Sequence, residues 1–314
     1  MGRKRNKRRP PPDRPWHPLN WGQWVVVALL WVLGRLPPRL ALGLGSALGT
    51  AGHALARERR AIARRNLELC FPEKPAAERD ALLRANFRAM GRAVAETALA
   101  WFGGRRVDRL PMVVRGEAHV EAARAAGEPV IFLSGHFLCV ELAARLLPDR
   151  IPVAAMYKPM HRRPVLDAAM LRARQRNVTD AVSKDDMRGI MRTLRRGTPI
   201  WFAGDQDYGR RHSVEVPFFG IPAPTITALA RLSRMSRARV IPLHFFREAD
   251  GRYAVEFQAP LEGFPSGDDT ADAARMNRII EADARRHPEQ YLWIHRRFKT
   301  AADYPPGRRQ RRRR

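Results

Sequence analysis

A histidine and a glutamate five positions apart, His136 and Glu141, have the residue types of a catalytic acid–base pair. An imidazole beside a carboxylate can remove a proton from a hydroxyl, because the acid fixes the ring tautomer and stabilises the imidazolium that forms. Five helical positions rotate a side chain by roughly 500°, about 140° off the starting face. The pair can therefore meet only if His136 lies at or before the first turn of a helix. The preceding Ser134-Gly135 turn favours that placement.

The elements around this pair predict an α/β domain. The apolar run from Val130 to Leu133 predicts a buried strand before the turn, and residues 137–147 predict the helix after it. Further strands are predicted at 112–116, 151–157, 200–203, 240–246 and 253–257, and further helices at 61–69, 76–99, 118–126, 165–176, 186–196 and 271–286. Strands that alternate with helices predict a mixed, largely parallel central sheet flanked by helices.

Two other stretches place charged residues after predicted strands. Asp205 and Asp207 directly follow the strand that ends at Ala203, and acidic residues at the carboxyl end of a strand are typical of α/β sites. An Asx-type turn explains the same spacing equally well. Lys158 follows the strand that ends at Tyr157, with several arginines nearby in sequence. Such a cation cluster could bind phosphate or form a solvated basic face.

Two apolar or aromatic stretches have open interpretations. The run 216–224 is rigid and apolar, so it predicts either the lining of an acyl tunnel or a packed loop. Residues 291–299 mix aromatic side chains with cations, which suits a lipid headgroup and a nucleic-acid backbone equally.

The chain is strongly basic, with 58 Lys and Arg against 31 Asp and Glu in 314 residues and a net charge of +27. Twelve of these cations lie in residues 3–9 and 308–314, and about +15 is left without them. The folded body should therefore bind anionic partners such as nucleic acid, anionic lipid or an acidic carrier protein. Cys70 and Cys139 have no disulfide or metal-ligand pattern, which favours a reducing compartment.

The segment 19–56 predicts contact with a membrane. Residues 24–33 form a continuous apolar run beside Trp16 and Trp21, and both flanks of the segment are basic. The run is slightly short for a span, which needs about 20 apolar residues. Because the positive-inside rule would keep both flanks cytoplasmic, we expect an N-terminal membrane-embedded helix or helical hairpin that dips into the inner leaflet. A buried helix pair of a soluble core is the alternative.

Several common site motifs are missing from the sequence. It has no phosphate-binding loop, no nucleophile elbow, no His-Glu-x-x-His and no dinucleotide glycine fingerprint. The histidines lack metal-like spacing, so no metal is expected.

The order of the motifs resembles the lysophospholipid acyltransferase superfamily, and within it the late lipid A acyltransferases, the lauroyl/myristoyl transferase family. The matching stretches are Arg60 through Phe71-Pro-Glu73, His136-x4-Glu141, Tyr157-Lys-Pro159, Arg174, Asp205-Gln-Asp-Tyr-Gly209, Val216-Pro-Phe-Phe-Gly220, Val240-Ile-Pro242 and Gln290 through Lys299. They cover nearly the whole chain from the apolar segment onward. The family usually has an arginine before this proline, at the position of Lys158. Lysine keeps the charge but cannot bind a phosphate or carboxylate in the bidentate way that arginine can. The basic tails also lie outside the family pattern.

The resemblance implies transfer of a fatty acyl chain from acyl carrier protein, or less often acyl-coenzyme A, to a hydroxyl of a lipid A precursor. In that reading His136 is the general base and Glu141 orients it, with no cofactor and no covalent enzyme intermediate. By analogy Arg174 and Asp205 belong to the substrate site, and Lys158 and Asp207 are further binding candidates. The implied partners are the carrier protein, a phosphorylated glycolipid and anionic lipid of the bacterial inner membrane at its cytoplasmic face, with no specific nucleic acid.

The predicted organisation has four parts. They are a basic disordered lead at 1–18, a membrane-anchoring segment at 19–56, a catalytic domain at 57–302 and a basic disordered tail at 303–314. The alternatives are an acyltransferase for another lipid, such as a lysophospholipid or an ornithine lipid, and a basic membrane- or nucleic-acid-binding protein without catalysis.

Overall fold

The computed structural model of the protein describes residues 15–147, 151–209 and 213–299. The predicted disordered tail, and all but the last residues of the predicted disordered lead, lie outside these described residues.

A seven-stranded sheet forms the centre of the molecule. The strands are β1 (Met112–Arg115), β2 (Val130–Ser134), β3 (Ala154–Tyr157), β4 (Asp180–Ser183), β5 (Ile200–Ala203), β8 (Arg239–Arg247) and β9 (Tyr253–Phe257), and an antiparallel two-stranded ribbon adds β6 (Ser213–Phe218) and β7 (Ile221–Ile226). The spatial order is β1-β9-β8-β2-β5-β3-β4, and only the β8–β9 pair is antiparallel. The predicted mixed, largely parallel sheet is therefore confirmed.

Ten α-helices in the described residues surround the sheet. They are α1 (Trp21–Arg35), α2 (Pro38–Leu55), α3 (Arg57–Cys70), α4 (Ala76–Phe102), α5 (Glu117–Ala125), α6 (Val140–Leu146), α7 (Pro164–Asn177), α8 (Met187–Arg195), α9 (Ala228–Ser236) and α10 (Asp269–Arg286).

The sheet separates two apolar cores, because successive residues of a strand point to opposite faces. In β2, Ile131 and Leu133 belong to the first core, which α3, α8, α9 and α10 cover. Val130 and Phe132 belong to the second, which α5, α6, α7 and the N-terminal helices cover. The long helix α4 contributes to both cores, with Phe87 in the first. Both faces of β2 are thus buried, as its uninterrupted apolar run predicts.

The N-terminal segment forms two consecutive helices, α1 and α2, and this hairpin packs on the body. Glycines allow the close approach: a Cβ built on Gly45 of α2 would lie only 2.7 Å from the carbonyl oxygen of Gly91 in α4. The Gln23 side chain of α1 accepts hydrogen bonds from the backbone N–H groups of Val165 and Leu166 at the start of α7. Among the described residues no helix combines the length and the apolar character that a membrane span requires. The membrane-embedded helix or hairpin that the sequence predicts at 19–56 is therefore not supported.

Exposed apolar side chains are concentrated on this hairpin and its lead-in. Of the sixteen large hydrophobic side chains that are most exposed in the described chain, twelve lie between residues 16 and 55. They are Trp16, Leu19, Trp21, Val25, Val26, Leu29, Trp31, Val32, Leu40, Leu44, Leu48 and Leu55. We call this set the hairpin surface. Such a concentration of exposed apolar side chains is typical of an interaction site.

Four elements differ from the prediction. Residues 216–224, predicted as either a tunnel lining or a packed loop, form most of the β6–β7 ribbon, with Phe218 buried in the first core. The strand β4 and the helix α9 were not predicted. The helix predicted at 137–147 begins only at Val140, and this difference changes the site.

Candidate active site

His136 is held at the carboxyl edge of the sheet by backbone pairing. After β2 ends, residues 136–138 run alongside the C-terminal segment: the N–H of Leu292 donates to His136 O (3.1 Å) and the N–H of Leu138 donates to Gln290 O (2.9 Å). Gly135 is required between strand and histidine, because a Cβ there would lie 2.7 Å from Ile280. The His136 side chain is 26% exposed. It is therefore fixed in place and still accessible to a substrate.

The register of two parallel strands brings Asp205 to this histidine. In β2 and β5, Ser134 lies opposite Ala203, so two residues further on His136 lies beside Asp205. The ring Nδ1 and Asp205 Oδ1 are 2.5 Å apart, and the backbone N–H of His136 donates to Asp205 Oδ2 at 2.9 Å. The hydroxyl of Tyr291 donates to the same Oδ2 at 2.6 Å. With Nδ1 committed to Asp205, Nε2 is the nitrogen that can take a proton from a substrate.

The electrostatics of this pair follow from burial and contact. Burial alone would lower the pKa of His136, but the charge of Asp205 and its hydrogen bond outweigh burial and raise that pKa above 6.5. Burial would raise the pKa of Asp205, but the His136 ring and the three hydrogen bonds hold it well below its usual range. Burial, reinforced by Asp205, raises the pKa of Tyr291, so its hydroxyl stays protonated and donates. The arrangement is a carboxylate that stabilises an imidazolium.

Glu141 does not orient His136 in this structure, which corrects the predicted pairing. Because α6 begins at Val140, Glu141 lies in its first turn, whereas His136 lies four residues before the helix. The carboxylate contacts Arg174 of α7 through Nη2 and through Nε (3.0 Å), and it accepts a hydrogen bond from the indole N–H of Trp101 in α4 (3.1 Å). Glu141 and Arg174 are each 18% exposed. The predicted site residues thus form two pairs, His136–Asp205 and Glu141–Arg174.

The remaining predicted residues lie nearby in other roles. Asp207 is buried and pairs with Lys299 (Nζ to Oδ1, 2.9 Å), and its backbone N–H donates to Nε2 of His295 at 3.2 Å. Lys158 is exposed after β3, with its Nζ 6.0 Å from the ring centre of Tyr208. Asp207 therefore supports the loop that carries Asp205, while Lys158 faces solvent at the mouth of the site.

The segment 291–299 belongs to the interior of the protein and to the site, not to a binding surface. Trp293 and Phe298 are almost fully buried, and the buried Arg297 donates to Pro224 O and to Thr225 Oγ1 (2.7 Å). Burial lowers the pKa of His295 to about 4, so this ring is neutral near pH 7. Sequence reasoning noticed this segment but missed Tyr291 as a partner of Asp205. The two residues are far apart in the chain, and only the strand-like pairing of 136–138 with 290–292 joins them.

A small apolar cavity of about 30 Å³ adjoins the Glu141–Arg174 pair. Its other lining side chains are mainly apolar: Val140, Ala144, Val153, Ala155, Asn177, Val178, Trp201 and Phe245. The Trp201 ring also contacts the His136 ring edge to face, with the ring centres 6.2 Å apart. Trp201 therefore connects the histidine to the cavity.

The two remaining features of the site concern Cys139 and metal ligands. Cys139 is fully buried, and burial with the nearby charge of Glu96 raises its pKa to about 12, so it stays an unreactive thiol. Within the described ranges no group of three His, Cys, Asp or Glu side chains is placed to hold a metal ion.

The fold and the site indicate which chemistry is available. A strand-end histidine that is held by a buried carboxylate has the geometry that a general base for a hydroxyl requires. Residues 13–300 of the chain match the family model described as bacterial lipid A biosynthesis acyltransferase.

Relatives from Escherichia coli (strain K12) agree with this match. The chain is 37% identical to a lipid A biosynthesis palmitoleoyltransferase over 90% of this chain and 93% of the relative. It is 36% identical to a lipid A biosynthesis lauroyltransferase over 93% and 96%, respectively. It is 33% identical to a lipid A biosynthesis myristoyltransferase over 90% and 88%. The chain belongs to the bacterial lipid A biosynthesis acyltransferase family, which confirms the predicted resemblance and makes the protein an acyltransferase of lipid A biosynthesis.

Proposed function

We propose that this protein transfers a fatty acyl chain from acyl carrier protein to a hydroxyl of a lipid A precursor, a secondary acylation in lipopolysaccharide synthesis. One observation carries the chemical part of the proposal: the accessible His136 ring is bound through Nδ1 to the buried carboxylate of Asp205. Family membership supports the acceptor, since its relatives are named for lipid A biosynthesis.

The reaction needs one proton acceptor and no covalent enzyme intermediate. Nε2 of His136 takes the proton of the acceptor hydroxyl as its oxygen attacks the thioester carbonyl carbon. The C–S bond then breaks, and the imidazolium returns the proton to the leaving thiolate. Asp205 holds the ring in the tautomer with Nε2 free and offsets the charge of the imidazolium. A thioester is already activated, so the base is the main requirement.

Glu141 acts through Arg174 in this proposal. Two nitrogens of the Arg174 guanidinium contact the Glu141 carboxylate, which fixes the direction of the third, Nη1. That fixed cation can stabilise the oxyanion of the tetrahedral intermediate or bind a phosphate of the acceptor. Glu141 is then a positioning residue, and Arg174 contacts the substrate.

The small cavity beside Trp201 is the proposed entry point for the acyl chain, and it must open further to hold the chain. Its lining is mainly aliphatic and aromatic, and it begins at the Glu141–Arg174 pair. A chain bound there would present its thioester carbonyl between Arg174 and His136. Palmitoleoyl-, lauroyl- and myristoyltransferases all occur among the relatives, so family membership does not fix the chain length.

The hairpin surface is the proposed contact with the cytoplasmic face of the inner membrane. Its exposed tryptophans and aliphatic side chains suit insertion at the level of the headgroups. We expect a Val25→Glu/Leu29→Glu variant to lose sedimentation with vesicles of phosphatidylethanolamine and phosphatidylglycerol. The control is Met235→Glu, which changes an exposed side chain on α9, over the other core. Equal sedimentation of both variants would contradict the membrane contact.

The experiment for the activity supplies purified protein with acylated carrier protein and an underacylated lipid A precursor. Mass spectrometry should detect one added acyl ester per acceptor. His136→Ala should lower kcat by ~10²–10⁴-fold, the usual contribution of a general base. The matched His119→Ala variant, on α5 away from the site, should keep normal turnover. Near-normal turnover by His136→Ala would contradict the mechanism, and ester formation on a lysophospholipid alone would contradict the acceptor.

A further inference from the structure

The outward face of α8 carries arginines in an unusual arrangement. Ile190 and Leu194 bury one side of this helix in the first core. On the other side Arg188, Arg192 and Arg196 follow each other at intervals of four residues. A second row beside them contains Met187, Met191 and Arg195, and all six side chains line one open surface depression. We call this set the α8 face.

The arginines of the α8 face form no ion pairs with the described residues, unlike Arg285 and Lys74 at two other helices. On α10, Arg285 pairs with Glu281, which lies four residues before it. Just before α4, Lys74 pairs with Glu78 in the first turn of that helix. None of the four arginines of the α8 face forms an ion pair with any residue in 15–147, 151–209 or 213–299. Like charges at this spacing repel one another, although Arg192 and Arg195 also lie in the last turn of the helix, where cations are favourable. An anionic partner would relieve the repulsion.

The position of the α8 face argues for a protein partner over a bilayer. The helix covers the first core, whereas the hairpin surface belongs to the two helices that cover the second. The sheet lies between these two layers, so the apolar surface suited to lipid and the arginine rows are on different sides of the molecule. Arginine and methionine are also the side chains enriched where proteins bind proteins.

A line of charged residues connects the α8 face to the site. The parallel strands β3, β4 and β5 end at the same edge of the sheet as β2, and α8 begins just beyond β4. Lys184, between β4 and α8, donates through its backbone N–H to Tyr157 O at 2.8 Å. Burial raises the pKa of Tyr208, and the charge of Lys184 acts against that rise. Lys158 lies over the same Tyr208 ring. Asp205 lies three residues before Tyr208 in the chain.

We propose that the α8 face is the docking surface for the acyl carrier protein, an acidic protein whose carboxylates pair with Arg188, Arg192, Arg195 and Arg196. The methionines fill the apolar centre of the contact, as this adaptable side chain does at many binding surfaces. The thioester arm of the carrier then passes Lys184 and Lys158 to reach His136. This inference rests on the proposed function, because it assumes a carrier-bound donor.

The experiment uses the full-length protein with Arg192→Glu. The new carboxylate lies four residues from both Arg188 and Arg196, so ion pairs within the helix can offset its unfavourable place in the last turn. Two donors are compared: the acyl carrier thioester, and the acyl-pantetheine thioester, which has the reactive group without the acidic protein. We expect the ratio of kcat/KM for the carrier donor to that for acyl-pantetheine to fall about 5- to 10-fold, since a reversed surface charge affects several weak pairs. The fall should appear in KM and should shrink as salt is added.

The control and the contrary results separate this inference from the proposed function. Arg109→Glu makes the same charge change on an exposed residue before β1 and should leave the ratio at the wild-type value. If Arg192→Glu leaves the ratio unchanged, or lowers it no more than Arg109→Glu does, the proposed docking surface is wrong. The proposed function would still be supported by turnover of the carrier thioester by the wild-type protein. Loss of vesicle sedimentation by Arg192→Glu with an unchanged ratio would assign the α8 face to lipid. If the wild-type protein does not use the carrier thioester at all, both proposals fail together.

Discussion

Two carboxylates in this site differ in how they are held, although each is paired with a basic side chain. Asp205 is 2% exposed and binds the His136 ring. It also accepts hydrogen bonds from the backbone N–H of His136 and from the hydroxyl of Tyr291. Glu141 is 18% exposed and binds Arg174, with Trp101 as its third contact. Strand register forms the first pair, and the packing of α4, α6 and α7 forms the second.

The comparison teaches that distance along the chain is a poor guide to partnership here. Glu141 is five residues from His136 and bonds elsewhere, whereas Asp205 is 69 residues away and holds the ring. Neighbouring parallel strands place residues of equal register side by side however long the crossover between them is. We therefore expect Asp205 to act on the proton and Glu141 to act on the direction of Arg174.

The largest effect should come from Asp205→Asn. The amide has the shape of the acid but cannot stabilise an imidazolium, and it allows the wrong ring tautomer, so kcat should fall by about 10²–10⁴-fold. Steady-state kinetics checks the rate, and the circular dichroism spectrum checks that the fold is kept. A loss smaller than that of Glu141→Gln would reverse the assignment of the two carboxylates.

The same variant should change the pH dependence. In the wild-type protein Asp205 raises the pKa of His136, so the base form appears, and kcat/KM rises, as pH increases through a pKa above 6.5. Without the carboxylate, burial is the remaining influence and lowers that pKa, so the acid limb of the profile should move to lower pH in Asp205→Asn. Glu141→Gln should leave the limb in place. A limb that moves in Glu141→Gln instead would make Glu141 the partner of the histidine.

Glu141→Gln should have an intermediate effect. Arg174 loses a charged hydrogen-bond partner, and bonds to charged groups contribute about 1.5–3 kcal/mol, which corresponds to about 10- to 100-fold in kcat/KM. Glu141→Asp, which restores the charge on a shorter side chain, should recover part of the activity. No recovery would indicate that Glu141 does more than position Arg174.

Tyr291→Phe should have the smallest effect. It removes one of the hydrogen bonds to Asp205 and leaves the ring packed, so the loss in kcat should be about 5-fold, in line with about 1 kcal/mol for one hydrogen bond. The acid limb should move slightly, because the charge of Asp205 persists. A loss as large as that of Asp205→Asn would mean that the tyrosine hydroxyl itself contacts the substrate.

Much of the fold could be predicted because local patterns determine it. The predicted helix α8 has strong apolar periodicity, that of α10 is moderate, and β2 is an uninterrupted apolar run. The ribbon β6–β7 was missed because prolines argue against strands. Pro217 lies opposite Pro222, which is tolerated where a two-stranded ribbon has only edges. The short, polar β4 has too few residues for its pattern to be distinguished from a loop.

The site could be predicted only as a set of residues. His136, Glu141, Arg174 and Asp205 are all present near one edge of the sheet, but their pairing depends on where α6 begins. Three residues of non-helical backbone between His136 and Val140 separate the histidine from the helix that carries Glu141. Those residues pair with 290–292 instead, and no local signal in the sequence reveals this pairing.

The sequence by itself determined the types of the elements, the placement of a histidine after a buried strand and the concentration of apolar side chains near the N-terminus. These properties depend on residues within a few positions of one another. Only the tertiary structure decided which acid serves the histidine, which surface the arginines of α8 occupy and that the aromatic C-terminal segment is buried. These properties depend on strand register and helix packing between distant parts of the chain, where the free energy of the whole fold selects among pairings that are locally equivalent.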